Sequence, residues 1–175
     1  RDIAQKFNND FNAEDFFKVP EPLIQKEFSR IMSLKDGKKK MSKSELSDFS
    51  RINLTDDKES ISNKIKKAKT DSLPIPGRME ELIDRPEAKN LMNIYASLSD
   101  EKLENIFKKF SGKNFSNFKE NLSQLAIEKL EPISIEIKKL LNDKNYLDKI
   151  LENGSQKADE ISSKKLKNLH EIIGF

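Results

Sequence analysis

Apolar residues along this chain recur mainly at three- and four-residue steps, a spacing that predicts a mainly α protein. Ile3, Ala4 and Phe7 already share one helical face with no capping residue ahead of them, so the chain is expected to begin inside an element. Two short runs read as strands instead: Phe16 to Val19, stopped by Pro20-Glu21-Pro22, and Arg30 to Leu34. Asp36-Gly37 predicts a turn, and Lys38 to Ser44 follows with little periodicity of either kind, as an exposed loop does. Ser42 and Glu45 have capping-box spacing, which predicts a short helical turn where the loop ends.

Asp56 and Glu59 repeat that start signal. Beyond them Ile61, Ile65 and Ala68 form one face of a basic amphipathic helix, with Lys64, Lys66, Lys67 and Lys69 pointing mainly elsewhere. Leu73-Pro74-Ile75-Pro76-Gly77 breaks the pattern and is expected to be the hinge between the two halves, 1–76 and 77–175. Pro86 then suits a first helical position ahead of Ala88, Leu91, Met92, Tyr95 and Leu98. Asp100 is expected to cap a helix through Leu103, Ile106, Phe107 and Phe110 that ends at Ser111-Gly112. From Phe115 to Leu141 the apolar positions trace a long helix or a broken pair, with Pro132 as the expected break. A helix through Tyr146 to Leu151 is expected to stop at Asn153-Gly154, and a final one runs from Ala158 to Ile173.

Composition narrows the function classes. A chain of 175 residues accommodates one domain, or a small domain with a fragment of another. Its 36% charged residues suit thin, highly charged helices, while eleven phenylalanines argue against a disordered chain. A net charge of +3 permits a nucleic-acid partner without requiring one. The absence of cysteine excludes disulfides, zinc-thiolate sites and thiol chemistry, and suits a reducing compartment. With no long apolar run and no signal-like start, a cytoplasmic location away from membranes is expected.

The strongest chemical signal is Lys40-Met41-Ser42-Lys43-Ser44. Two ammonium groups three residues apart on a turn-led loop can close over a polyphosphate, with the serine hydroxyls and backbone N–H groups donating to its oxygens. When an acyl group attacks the α-phosphorus of ATP, negative charge grows on the departing pyrophosphate. A lysine brought close at that moment stabilises the transition state more than the ground state. An arbitrary lysine-rich segment is more often a solvated surface. A methionine set between lysines, however, is not what a generic basic tract selects.

Lys40 to Ser44 is, letter for letter, the second signature motif of class I aminoacyl-tRNA synthetases. Its flanks, Arg30 to Leu34, Lys64 to Ser72 and Arg85 to Leu91, together with the ending Leu169 to Phe175, resemble the tryptophanyl-tRNA synthetases across essentially the whole chain. Tyrosyl-tRNA synthetase is the nearest competitor. The resemblance implies the C-terminal half of such an enzyme, comprising the remnant of a Rossmann-like α/β catalytic domain with its phosphate loop and a C-terminal α-helical bundle that helps recognise the anticodon end of tRNA.

The resemblance also implies the chemistry. Tryptophan and ATP, the latter with Mg2+, give tryptophanyl-adenylate and pyrophosphate, and the tryptophanyl group then passes to the terminal ribose of tRNA(Trp). Carried over by position, Ile31, Lys40, Met41, Ser42, Lys43 and Ser44 would bind ATP, Ile31 near the adenine, with Lys40 and Lys43 catalytic and Lys43 foremost. Glu45 stands where the family commonly has aspartate, which leaves the loop's charge unchanged. The first signature of the class, a Gly-His or Gly-Asn turn, has no counterpart, and the tryptophan-selecting residues would precede Arg1. Neither step is therefore expected on this chain alone. A homodimer is also implied, its interface drawn largely from outside these residues.

Other features favour plainer readings. The lysines between Lys58 and Lys69 could meet tRNA phosphates, but such faces are more often merely solvated. His170 has no second catalytic group near it in sequence, which favours packing or surface over general-base work. Tyr95, Phe107, Phe110, Phe115 and Phe118 lie on apolar faces and are expected in the core rather than stacked on bases. No tRNA-contacting residue and no metal ligand is assigned. The alternatives to an enzyme part are a noncatalytic tRNA-binding module and a helical interaction protein whose lysine loop has no ligand.

Overall fold

The computed structural model describes residues 1–24 and 29–175. Its helices are α1 (Asp2–Asp10), α2 (Lys58–Lys66), α3 (Pro86–Ser99), α4 (Leu103–Phe110), α5 (Phe115–Asn142) and α6 (Lys144–Ile173), with 3-10 turns at Asp48–Ser50 and Met79–Leu82. The chain divides into two compact units, one made of Gln25–Lys139 and the other of Arg1–Ile24 with Leu140–Phe175.

The core of the 25–139 unit follows from the helical periodicity. Ile61 and Ile65 from α2, Leu91 and Met92 from α3, Ile106 and Phe110 from α4, and Phe118 and Leu122 from α5 are all buried. Phe118 meets the edge of Phe110 at 5.0 Å between ring centres, and Tyr95 lies 5.3 Å from Phe110 and 5.5 Å from Phe118. Tyr95, Phe107, Phe110, Phe115 and Phe118 are thus core residues. The Tyr95 hydroxyl is satisfied by the Lys109 ammonium at 2.9 Å, which keeps the buried phenol from being an unpaired polar group.

Neither predicted strand forms. The Phe16 to Val19 segment turns back on α1 because aromatic packing there outweighs extended pairing. Phe7 stands 4.7, 5.4 and 5.0 Å from Phe11, Phe16 and Phe17, and the Asn8 amide pairs with the N–H and carbonyl of Phe17 at 2.9 and 2.8 Å. In the same unit the Lys165 ammonium of α6 lies over the Phe16 ring and donates to the Phe16 carbonyl. Among the described residues, extended pairing is confined to one isolated antiparallel bridge, Met32 with Lys40.

Several boundaries also differ from the sequence reading. Asp100 does not cap α4; it ends α3 in the left-handed conformation at φ 56°, which aspartate tolerates better than most residues. The cap of α2 is Asp57, whose carboxylate accepts from the Ser60 N–H at 2.8 Å, while Asp56 turns inward to Lys64. α5 runs unbroken through Pro132, an exposed position, and α6 runs unbroken through Asn153-Gly154. An interior glycine costs a helix only about 1 kcal/mol. Stopping there and nucleating again is dearer, because nucleation is disfavoured on the order of a thousandfold.

Residues 73–77 are fastened to the segments around them. Ile75 is buried, its N–H donates to the Lys113 carbonyl and its own carbonyl accepts from the Gly112 N–H, both at 2.9 Å. Arg85 forms a two-pronged pair with Asp71 at 2.8 and 2.7 Å and also donates to the carbonyls of Leu73 and Pro74. Position 76 therefore lies inside the 25–139 unit.

Candidate functional site

The lysine loop is a short hairpin whose stem is the Met32–Lys40 bridge. The Ser33 N–H donates to the Lys39 carbonyl at 2.8 Å, and the Met41 N–H donates to the Ile31 carbonyl at 3.0 Å. Its turn is closed by the Lys39 N–H donating to the Asp36 carbonyl at 3.1 Å, with the Asp36 carboxylate accepting from the Lys38 N–H at 3.0 Å. Gly37 is needed here for close approach rather than for backbone freedom. A Cβ at this position would sit 2.4 Å from the Pro86 carbonyl carbon and 2.5 Å from the Glu87 nitrogen, both backbone atoms of α3.

Within Lys40 to Ser44 the side chains divide by chemistry. Met41 is half-buried against the core, as is Ile31, whereas Lys40, Ser42, Lys43 and Ser44 are exposed. The methionine thus anchors the segment and leaves both ammonium groups in solvent, which accounts physically for an apolar residue set between lysines. Ser42 Oγ accepts from the Ser44 N–H at 3.3 Å and lies 2.9 Å from Ser44 Oγ, a local turn that takes the place of the expected capping box. The helical turn after the loop starts later, at Asp48, and its N-cap Ser47 makes no side-chain cap.

Beside the loop is a cavity of about 480 Å³ lined by Met41, Ser42 and Lys43 on one side and Arg51, Ile52, Asn53, Leu54 and Thr55 on the other. Lys40, Ser44 and Ile31 are not in its lining. Arg51 holds the loop's far end by donating to the Glu45 carbonyl at 2.9 Å and pairing with Asp48 at 3.1 Å.

One lysine of α2 is not on its solvent face, contrary to the helical-wheel reading. The Lys64 side chain is 4% exposed, its ammonium 2.6 Å from Asp48 and 2.5 Å from Asp56. An amphipathic stem lets lysine cross a core boundary when its charge finds partners there. The hydrogen bond from Lys64 is the main cause that holds the Asp48 carboxyl below its ordinary value. Lys69 pairs with Glu87 at 2.8 Å, raising the lysine and lowering the carboxyl. Lys58, Lys66 and Lys67 remain exposed, Lys67 resting over the Phe49 ring. Lys119 of α5 donates to the Ala68 carbonyl at 2.6 Å, closing the C-terminal end of α2, and its partial burial lowers its affinity for the proton. His170 is exposed near the end of α6, with the Phe175 ring as its aromatic neighbour.

Arg51, Lys64 and Gly37 thus support the loop, as does Asn90 through its bonds to Met32 and Ser33; from sequence Gly37 had only a turn and Lys64 only a place on a basic helix face, and Arg51 and Asn90 had no role. The one hint was Asn90, a polar residue among the apolar positions Ala88, Leu91 and Ile94; its partners are 57 and 58 residues away in sequence. Among the described residues no group of three or more His, Asp or Glu side chains is placed to hold a metal ion, and no helix is long and apolar enough to cross a membrane.

Comparison with known proteins agrees with this arrangement. The family model described as tRNA synthetases class I (W and Y) matches residues 1–131. A tryptophan–tRNA ligase of Caulobacter vibrioides is 48% identical over 175 residues, and one of Rickettsia conorii is 50% identical over 175. Each match covers 100% of this chain and 51% or 52% of the relative, so the chain spans about half the length of the curated relatives it matches. The crystal structure of tryptophanyl-tRNA synthetase from Mycoplasma pneumoniae superposes with a TM-score of 0.78 at 26% identity, covering 100% of this chain and 51% of that one. The Campylobacter jejuni enzyme, solved in complex with ADP and tryptophan, superposes at 0.66 with 25% identity over 52% of its length. A mainly helical architecture, a signature loop seated on the core by its methionine, and a family match over three quarters of the residues agree: the chain belongs to the class I tRNA synthetases for tryptophan and tyrosine.

Proposed function

We propose that this chain is part of a tryptophan–tRNA ligase, supplying the loop that grips the ATP phosphates and a helical region that binds tRNA(Trp). In the first step the tryptophan carboxylate attacks the α-phosphorus of ATP and pyrophosphate leaves. In the second the ribose hydroxyl of the tRNA terminus takes the tryptophanyl group and AMP departs. Tryptophan rather than tyrosine is favoured because the curated relatives at 42–50% identity are named as tryptophan–tRNA ligases. Residues 1–76 belong on this reading to the catalytic domain and 77–175 to tRNA recognition, in a cytoplasmic homodimer whose remaining residues select the amino acid.

The observation that carries the reading is the division of labour within the loop. Met41 is seated on the core while Lys40, Ser42, Lys43 and Ser44 are exposed, Ser42 and Lys43 lining a cavity of about 480 Å³. That geometry suits a cationic segment that meets the β- and γ-phosphates as charge develops on them. Lys43, on the cavity wall, is the lysine assigned to transition-state contact, with Lys40, Ser42 and Ser44 completing the phosphate grip and Ile31 placed toward the adenine. Mg2+ would arrive as the ATP complex, since the nearby Asp48 and Asp56 are occupied by Lys64.

The test is tryptophan-dependent ATP–pyrophosphate exchange by the complete ligase. Lys43→Ala is expected to lower kcat by about tenfold to a thousandfold, the size of losing a transition-state donor. An unchanged rate removes Lys43 from the mechanism.

A further inference from the structure

In the Met32–Lys40 bridge the hydrogen bonds run from the residues on either side of the pair, Ser33 to Lys39 and Met41 to Ile31. The N–H and carbonyl of Met32 therefore lie on the outer edge of the hairpin, where an ordinary sheet would place a third strand. What stands there is one side chain. Asn90, in the second turn of α3 and 3% exposed, accepts from the Met32 N–H at 2.9 Å and donates to the carbonyls of Met32 at 2.8 Å and Ser33 at 3.3 Å. Its carboxamide pairs the edge as a neighbouring strand would, so no backbone group of Met32 is left unsatisfied.

A second fastening lies one turn earlier on α3. The Gly37 backbone rests directly on Pro86 and Glu87, and Glu87 is itself held by Lys69 at 2.8 Å. The hairpin stem is thus tied to the start of α3 at two points, and the segment that follows the stem is Met41 to Ser44. We infer that Asn90 is a positioning residue for adenylate formation, acting through the loop lysines by fixing the edge of the stem that carries them. This rests on the reading of the loop given above. Asn90 touches no reacting group; its loss would let the stem shift against α3, and small misplacements of a catalytic group cost large factors in rate.

The experiment is a double-mutant cycle in the complete ligase, read by ATP–pyrophosphate exchange, with tryptophan transfer from isolated enzyme-bound adenylate to tRNA measured in parallel. Asn90→Ala is expected to lower the exchange kcat by about tenfold to a hundredfold with the tryptophan KM little changed. In a Lys43→Ala background the same substitution is expected to cost no more than about twofold, because Lys43, the lysine assigned to transition-state contact, is already gone. Transfer from preformed adenylate keeps its rate. Equal losses in both backgrounds, a matching fall in transfer, or no loss at all would each overturn the inference. Should Asn90→Ala fail to fold, Asn90→Ser, which can pair only part of the edge, enters the same cycle under the same criteria. A Lys43→Ala enzyme with full exchange activity defeats the loop reading itself, an outcome separate from any result at Asn90.

Discussion

Replacing Lys64 by methionine keeps most of the apolar stem and removes the terminal ammonium with its charge. The Lys64 side chain is 4% exposed and its ammonium lies 2.5 Å from Asp56, a carboxylate whose side chain is 10% exposed. Breaking a buried pair by deleting one partner costs about 3–5 kcal/mol, because the remaining charge is left without compensation. Here the remaining charge is not wholly abandoned. Asp56 also accepts from the Asn53 N–H at 2.9 Å and from the Asn53 amide at 3.3 Å, which moves the expectation below that range, to about 2–3 kcal/mol. Asp48 is 55% exposed and can be solvated, so it adds little. The 175-residue chain offers a convenient assay, since it has no tryptophan and its two tyrosines differ in environment: Tyr95 is buried among Phe110 and Phe118, and Tyr146 is 48% exposed. Tyrosine fluorescence during urea unfolding therefore reports mainly on the 25–139 unit. Lys64→Met should shift its transition by the amount above, Asp56→Asn in the same background should recover part of the loss, and the exposed Lys66→Met should stay within about 0.5 kcal/mol of the parent. A Lys64→Met protein that unfolds with the parent would refute the account of Lys64 as a buried, pair-dependent charge.

Further outcomes follow from the same geometry. Gly37→Ala would force a Cβ to within 2.4 Å of the α3 backbone, so the stem has to move; we expect a loss of about 1–3 kcal/mol in the same fluorescence assay, and an unaltered transition would show that the contact is not close. Asp71 is held below the ordinary carboxylate value chiefly by its hydrogen bond from Arg85, and Glu87 likewise by Lys69. With folded values depressed, their stabilisation is complete above the unfolded carboxylate values near about pH 4 and is lost as pH falls through the lower folded values. Urea midpoints should therefore drop below about pH 4, and Arg85→Met should flatten part of that drop; midpoints that hold or rise toward pH 3 would contradict it. If exposed lysines such as Lys58, Lys66 and Lys67 meet tRNA phosphates, affinity for transcribed tRNA should fall linearly in log–log form with salt, and salt-independent binding would make them bystanders.

The amino-acid sequence alone determined the helical class, the core faces and the place of the lysine loop. Those features depend on residues close together in the chain: Ile61, Ile65 and Ala68 are buried as their spacing requires, the aromatics from Tyr95 to Phe118 lie in the core, and Lys40 to Ser44 is a loop exposed except at Met41. Helix ends were less legible, because capping and breaking signals worth about 1–3 kcal/mol compete with one another and with the cost of nucleating a new helix. So Asp57 prevailed over Asp56, Asp100 ended one helix instead of starting another, and neither Pro132 nor Gly154 interrupted theirs. Only the tertiary structure decided how the loop is held. Lys64 turns inward because Asp48 and Asp56 converge on it from outside its helix, Gly37 is a glycine because α3 passes against it, and Asn90 completes a hairpin edge 58 residues away. Each of these depends on charges, volumes and unpaired backbone groups that meet only after the chain has folded, and local periodicity carries no record of them.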